Sequence, residues 1–256
     1  MDAKELEVGT LKVYTFENRE ELGLYAGKKA AARIKELQET PDKIVRMIFA
    51  SAPSQLETLA YLRKDEGIDW SRVVAFHMDE YVGIEKNHPQ SFASFLEQNL
   101  FDQVNIGQVH FINGIAEDPQ AECERYEALL KEAPIDIVCL GIGENAHIAF
   151  NEPHLADFAD PHFVKLVDLD LTSRQQQVND GCFLTLEEVP THAITLTVPA
   201  LFAGQSLFCM VPGSTKAAAV HATLNGEITT EIPSSILRTH PQVSLFIDKD
   251  SAAQLN

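Results

Sequence analysis

Ile135-Asp136-Ile137-Val138-Cys139-Leu140-Gly141-Ile142-Gly143-Glu144-Asn145-Ala146-His147-Ile148-Ala149-Phe150-Asn151-Glu152-Pro153 decides how this chain is read. The apolar run Ile135 to Leu140 reads as a parallel strand buried on both faces. The chain then turns on glycines and presents His147 and, five residues later, Glu152. Ligands of open α/β sheets bind at strand ends of this kind. A His–Glu pair placed there can move protons between oxygens at neutral pH.

Outward from this stretch, strand and helix patterns alternate. Asn18 with Glu21 makes a capping box, and Leu22, Tyr25, Ala26, Ala30, Ile34 and Leu37 follow at helical spacing. Ile44 to Ala50 reads as a strand, followed by Ser51-Ala52-Pro53-Ser54 and a helix through Leu62. Val73 to Phe76 is a short strand whose end delivers His77, Asp79 and Glu80. Asp118-Pro119 opens another helix, with Cys123, Tyr126 and Leu130 as its buried stripe. Ala193 to Val198, Leu207 to Val211 and Val243 to Ile247 read as strands, and Gly213-Ser214 starts a helix that stops at Asn225-Gly226. The alternation predicts an α/β fold with a mostly parallel sheet, right-handed crossovers and one domain over residues 1–256.

Composition narrows the partners. Among 256 residues, 45% are hydrophobic, enough for a sizeable core. The net charge of −18, with no Lys/Arg cluster, makes nucleic acid a poor partner. An anionic metabolite stays open, because a few local cations and backbone amides hold one phosphate. Cys123, Cys139, Cys182 and Cys209 form no C-x-x-C pair, and Cys139 and Cys209 lie in apolar strands as buried thiols. No apolar run reaches the ~18 residues of a membrane span, and no signal-peptide core is visible, so a cytoplasmic protein without a membrane partner is expected.

Several residues could carry chemistry, each with a plainer alternative. Asp79-Glu80 could simply cap the next helix, His147 could be a hydrogen-bonded core histidine, and Glu152 could cap a turn. Gly141-Ile142-Gly143 loosely fits a dinucleotide fingerprint, but Asn151-Glu152-Pro153 follows too soon for the long helix that motif opens. Val211-Pro212-Gly213-Ser214-Thr215-Lys216 runs from strand to helix, where amides, the helix dipole and Lys216 could hold an anion. Ser51 and Ser54 stand at a second such turn.

Met78-Asp79-Glu80-Tyr81-Val82-Gly83, then His88-Pro89-Gln90-Ser91-Phe92, and Ala146-His147-Ile148-Ala149-Phe150-Asn151-Glu152-Pro153 together resemble the glucosamine-6-phosphate deaminase family of aldose–ketose isomerases. The resemblance implies a three-layer Rossmann-like α/β domain. It implies isomerisation of a phosphorylated amino sugar, with loss of ammonia and a ketose phosphate as product, and no metal or nucleotide cofactor. Asp79 would carry a proton between C2 and C1, His147 would open the sugar ring, and Glu152 would orient His147. Lys216 would bind phosphate, joined by Ser51, Ser54, Gly143 and Arg174 as the remaining substrate-binding positions. Asn145 departs from the family pattern, which has Asp-Gly-His where this chain has Asn145-Ala146-His147. Asparagine can orient the histidine but contributes no charge. Family members often form symmetric assemblies, so a homo-oligomer is an expectation. The rivals are a 6-phosphogluconolactonase-type hydrolase of the same fold and a non-catalytic sugar-phosphate-binding protein.

Overall fold

The computed structural model describes residues 4–169, 171–179 and 182–255. The chain opens with a hairpin, β1 (Lys4–Val8) and β2 (Leu11–Phe16), turning at Gly9, whose φ of 63° suits glycine. Next come α1 (Arg19–Gln38), β3 (Val45–Phe49), α2 (Leu56–Leu62), β4 (Val73–His77) and the short β5 (Asp79–Tyr81). Then follow α3 (Phe92–Asn99), β6 (Gln108–His110), α4 (Pro119–Lys131), β7 (Ile137–Leu140), β8 (Val164–Asp168) and α5 (Leu171–Asn179). The chain ends with β9 (His192–Leu196), α6 (Val198–Phe202), β10 (Ser206–Val211), α7 (Ala217–Asn225) and β11 (Val243–Asp248).

Eight strands form the main sheet in the order β1-β2-β11-β10-β7-β3-β4-β6. Every neighbouring pair from β2 to β6 is parallel, and only the β1–β2 hairpin is antiparallel. The central strands read as unbroken apolar runs because both faces are covered. Every residue of β3, β7 and β10 is buried. Residues of α1, α2 and α3 share one core cluster with one face of the sheet, and residues of α4, α6 and α7 share the other. The result is three layers around two cores.

The strand order reverses between β3 and β7. The chain leaves β3 towards β4 on one side and leaves β7 towards β10 on the other. Two connections diverging from adjacent strand ends leave a crevice between them, the usual ligand position in such sheets. Here the crevice lies between the turn after Phe49 and the turn after Leu140.

Two expectations needed revision. The segment Ala193 to Val198 reads as one more strand of the parallel sheet, yet β9 belongs to a separate antiparallel sheet of order β5-β9-β8. An apolar run encodes burial, not the identity of its partner. The edge hairpin β1–β2 escaped the sequence reading because β1 is mostly exposed and carries no apolar run.

Candidate active site

The loop after β7 folds back on itself. Gly143 N–H donates to the His147 carbonyl at 2.9 Å, and Ala146 N–H donates to the Gly143 carbonyl at 3.0 Å. This tight turn lays the His147 ring against the backbone of Gly143, where a β-carbon would collide with the imidazole. Ala146 and Ala149 both adopt left-handed backbone, with φ of 68° and 51°. An alanine there costs roughly 1–2 kcal/mol relative to right-handed backbone. The family's glycine would avoid that cost at position 146, so surrounding contacts must hold this loop. Ser234 N–H donates to the Ala146 carbonyl at 2.9 Å, and Asn151 donates to the carbonyls of Ile148 and Leu196.

His147, Asn145 and Glu152 close a triangle. His147 Nδ1 is 2.7 Å from Asn145 Oδ1 and 3.1 Å from Glu152 Oε1, while Asn145 Nδ2 donates to Glu152 Oε2. Two acceptors facing Nδ1 call for a proton there, which leaves Nε2 as the acceptor in the neutral ring. Glu152 is buried at 4% exposure, whereas the His147 side chain keeps 30%. The carboxylate that faces Nδ1 is therefore dry, while the histidine side chain stays partly open.

Asp79 reaches the same place through β9. It opens β5 and pairs in register with Thr195 of β9. Thr195 Oγ1 in turn accepts from Phe150 N–H of the histidine loop at 3.1 Å. One threonine thus ties the strand of Asp79 to the loop of His147 and Glu152. A threonine inside the apolar Ala193-Ile194-Thr195-Leu196 was the available signal for this role. Burial, and to a smaller degree the neighbouring Glu80, push the Asp79 carboxyl up to about 8.

Glu80 does different work from its neighbour. Its carboxylate accepts from the Ser91 hydroxyl and from the N–H groups of Tyr81, Phe92 and Ala93. It caps the start of α3 and fixes the loop of the His88-Pro89-Gln90-Ser91 motif. His77 stays in the core: its Nε2 accepts from Ile112 N–H at 2.9 Å, and burial drives its pKa down to about 3.

The anion-binding candidates are distributed. Ser54 lines the crevice, since a β-carbon on Gly141 would stand 3.2 Å from Ser54 Oγ. Ser51 Oγ is buried without a protein partner among the described residues. Lys216 ends a short 3-10 turn after Gly213, whose φ is 98°. Gly213 N–H, however, is held by the Asp248 carboxylate at 3.1 Å to both oxygens. Arg174 lies on α5, and its Nε and Nη2 donate to the carbonyls of Leu186 and Val189. The structure brings Asn145, His147, Glu152 and Gly143 together in one loop, ties the strand of Asp79 to that loop through Thr195, sets Ser54 against Gly141 at the loop's start, and ties Arg174 to the segment after α5.

The fold defines a doubly wound α/β protein with a His–Glu pair on the loop at its switch point. Residues 17–245 match the family profile described as glucosamine-6-phosphate isomerases/6-phosphogluconolactonase, and the chain belongs to that family. A glucosamine-6-phosphate deaminase of Thermoanaerobacter pseudethanolicus is 36% identical over 248 residues, covering 95% of this chain and 94% of the relative. One of Clostridium botulinum is 34% identical over 251 residues, covering 96% and 99%. A solved monomeric glucosamine-6-phosphate deaminase superposes with a TM-score of 0.84 at 29% identity, covering 94% of this chain and 98% of its own. A 6-phosphogluconolactonase of Thermotoga maritima shares the fold at a TM-score of 0.76 and 19% identity, covering 93% of this chain and 99% of its own. Among the described residues no helix is long and apolar enough to cross a membrane.

Proposed function

We propose that this protein isomerises and deaminates an amino-sugar phosphate, with glucosamine-6-phosphate as the first substrate to test. The observation that carries the reading is the Asn145–His147–Glu152 triangle, joined through Thr195 to the strand of Asp79. Overall, amino-sugar phosphate and water become ketose phosphate and ammonia. His147 Nε2 takes the anomeric hydroxyl proton and returns it to the ring oxygen as that C–O bond breaks. Asp79 then removes the C2 proton from the open-chain aldehyde, giving an enol-amine, and delivers it to C1. Water adds to the resulting C2 imine, and ammonia leaves.

The burial of Asp79 fits this duty. A carboxyl raised to about 8 holds its proton in the empty site at neutral pH. A substrate ammonium at C2, drawn against it, would favour the ionised form and ready the base. Lys216, Ser51, Ser54 and Gly143 would hold the phosphorylated sugar. Arg174 would act from the segment after α5 and first has to leave the Leu186 and Val189 carbonyls.

Ammonia release over a panel of hexosamine phosphates, run beside lactone hydrolysis on 6-phosphogluconolactone, tests the reading. Ammonia from at least one hexosamine phosphate with negligible lactone hydrolysis is expected. The reverse pattern would transfer the chain to the lactonase reading.

A further inference from the structure

We propose that Arg19 is a phosphate-binding residue of this site, supplying a second cation beside Lys216 for the substrate's phosphoryl group. The proposal rests on the amino-sugar phosphate reading and adds to it a residue from a distant part of the chain.

Arg19 is the first residue of α1, directly after the cap residue Asn18. The first turns of α1 lie so close to α2 that a β-carbon on Gly23 would collide with Glu57. This contact sets the Arg19 guanidinium over the turn that follows β3. Arg19 Nη2 donates to the Pro53 carbonyl at 2.7 Å. Among the described residues, no other arginine bonds to the Ser51–Gln55 turn.

The guanidinium has unused capacity. Of its five N–H groups, Nε–H and one Nη2–H go to Glu57 at 2.6 and 3.0 Å, and the other Nη2–H goes to Pro53. The Nη1 pair makes no bond to the described residues. The Arg19 side chain as a whole is 44% exposed, so the guanidinium is not sealed in the core. A guanidinium edge suits phosphate oxygens better than a lone ammonium does, because it offers donors in fixed directions.

The turn beneath it also awaits a partner. Ser51 Oγ and Gln55 Oε1 are buried, and neither has a hydrogen-bond partner among the described residues. Gln55 itself is 1% exposed, with its Nε2 given to Ser54 and to the Leu140 carbonyl at the end of β7. Pro53 contributes no N–H, so this turn has one amide fewer for an anion than another residue would give. A side-chain cation offsets that deficit.

Charge points the same way. Asp248 is 3% exposed, holds Gly213 N–H and lies near enough to Arg19 to interact with it electrostatically. Its carboxylate opposes a phosphate dianion bound at the Ser214–Lys216 turn. Lys216 alone cannot balance both anions. Arg174, the other arginine candidate, already serves two carbonyls.

The experiment compares Arg19→Ala, Arg19→Lys and Glu57→Gln with the wild type. Glu57→Gln removes the ion pair but keeps the guanidinium. Arg19→Ala should raise KM about tenfold with kcat within about twofold, since phosphate is held equally in ground and transition states. Competitive inhibition by inorganic phosphate should weaken by a similar factor, and Arg19→Lys should recover part of both losses. Glu57→Gln should leave KM unchanged or lower it. A Glu57→Gln variant that reproduces the KM rise of Arg19→Ala would reduce Arg19 to a latch between α1 and α2, and an Arg19→Ala variant with unchanged KM and phosphate inhibition would also overturn the proposal. Should the wild type turn over no amino-sugar phosphate, the functional reading fails separately. Calorimetric Kd for inorganic phosphate then decides Arg19, and equal values for wild type and Arg19→Ala would overturn it.

Discussion

The two halves of the crevice are built in opposite ways. On the ring-opening side, Asn145, His147 and Glu152 bond to one another within seven positions of chain. On the anion side, Arg19, the Ser51–Gln55 turn, Gly213–Lys216 and Asp248 come from four separated segments. The first half is a single loop whose side chains carry their own geometry. The second exists only after α1, β3, β10 and β11 have assembled. Chemistry that needs sub-ångström orientation is thus entrusted to local bonds, and charge, which acts over longer distances, to tertiary assembly.

That contrast can be broken from the loop side. The largest effect is expected for Gly143→Ala, whose new methyl occupies the space of the His147 ring. Displacing a general acid–base group costs at least about 10² in turnover. Steady-state kinetics with unchanged thermal stability would locate the damage in the loop geometry.

Asn145→Asp should act next. It replaces the N–H that now donates to Glu152 Oε2 with an oxygen, so two carboxylates would face each other beside His147. Turnover of glucosamine-6-phosphate should fall by about tenfold, and adding Glu152→Gln should restore part of it. An increase in the single variant would mean that the family's aspartate works better here and that Asn145 merely weakens the relay.

The anion side should respond in KM. Lys216→Ala is expected to raise KM by about tenfold with kcat nearly constant. A substrate lacking its phosphate that reacts as well as the ester would contradict this side of the comparison.

Asp79 links activity to stability. Its carboxyl is ordinary near 3.8 when unfolded and is raised to about 8 in the fold. The folded form binds the extra proton between those values, so wild-type stability falls as pH rises through that window. Asp79→Asn escapes the loss. Melting temperatures should therefore diverge in favour of Asp79→Asn from about pH 5 to about pH 8, and parallel curves would contradict the burial account.

The smallest effect is expected at Ala146. Ala146→Gly relieves left-handed backbone worth roughly 1–2 kcal/mol, but unfolded-chain entropy takes back about 0.5–1 kcal/mol. Stability should rise by no more than about 1.5 kcal/mol, with turnover within about twofold.

The same contrast explains what the sequence could disclose. The apolar strand ending in Leu140, the helix cap at Asn18, whose side chain accepts from Glu21 N–H, and the Asp79 and His147 motifs are local patterns that the sequence carries at these positions. Helix α4 likewise begins at Pro119 with Asp118 as its cap. Thr195 was harder to recognise, because its meaning depends on which strand β9 pairs with. Glu80 looked like Asp79 in the sequence, and only the position of α3 separates the helix cap from the base candidate. The hold of Asp248 on Gly213 N–H joins residues 35 positions apart, and no spacing rule announces it.

The account stands on Asp79 as the base that moves a proton between C2 and C1. The direct measurement is ammonia and ketose phosphate formed from glucosamine-6-phosphate by the wild type and by Asp79→Asn, with calorimetric substrate affinity for both. The wild type should release the two products one for one. The variant should bind substrate within about threefold of the wild type yet turn it over at least about 10² more slowly. Near-normal turnover by Asp79→Asn would remove Asp79 from the reaction and with it the mechanism proposed for this site.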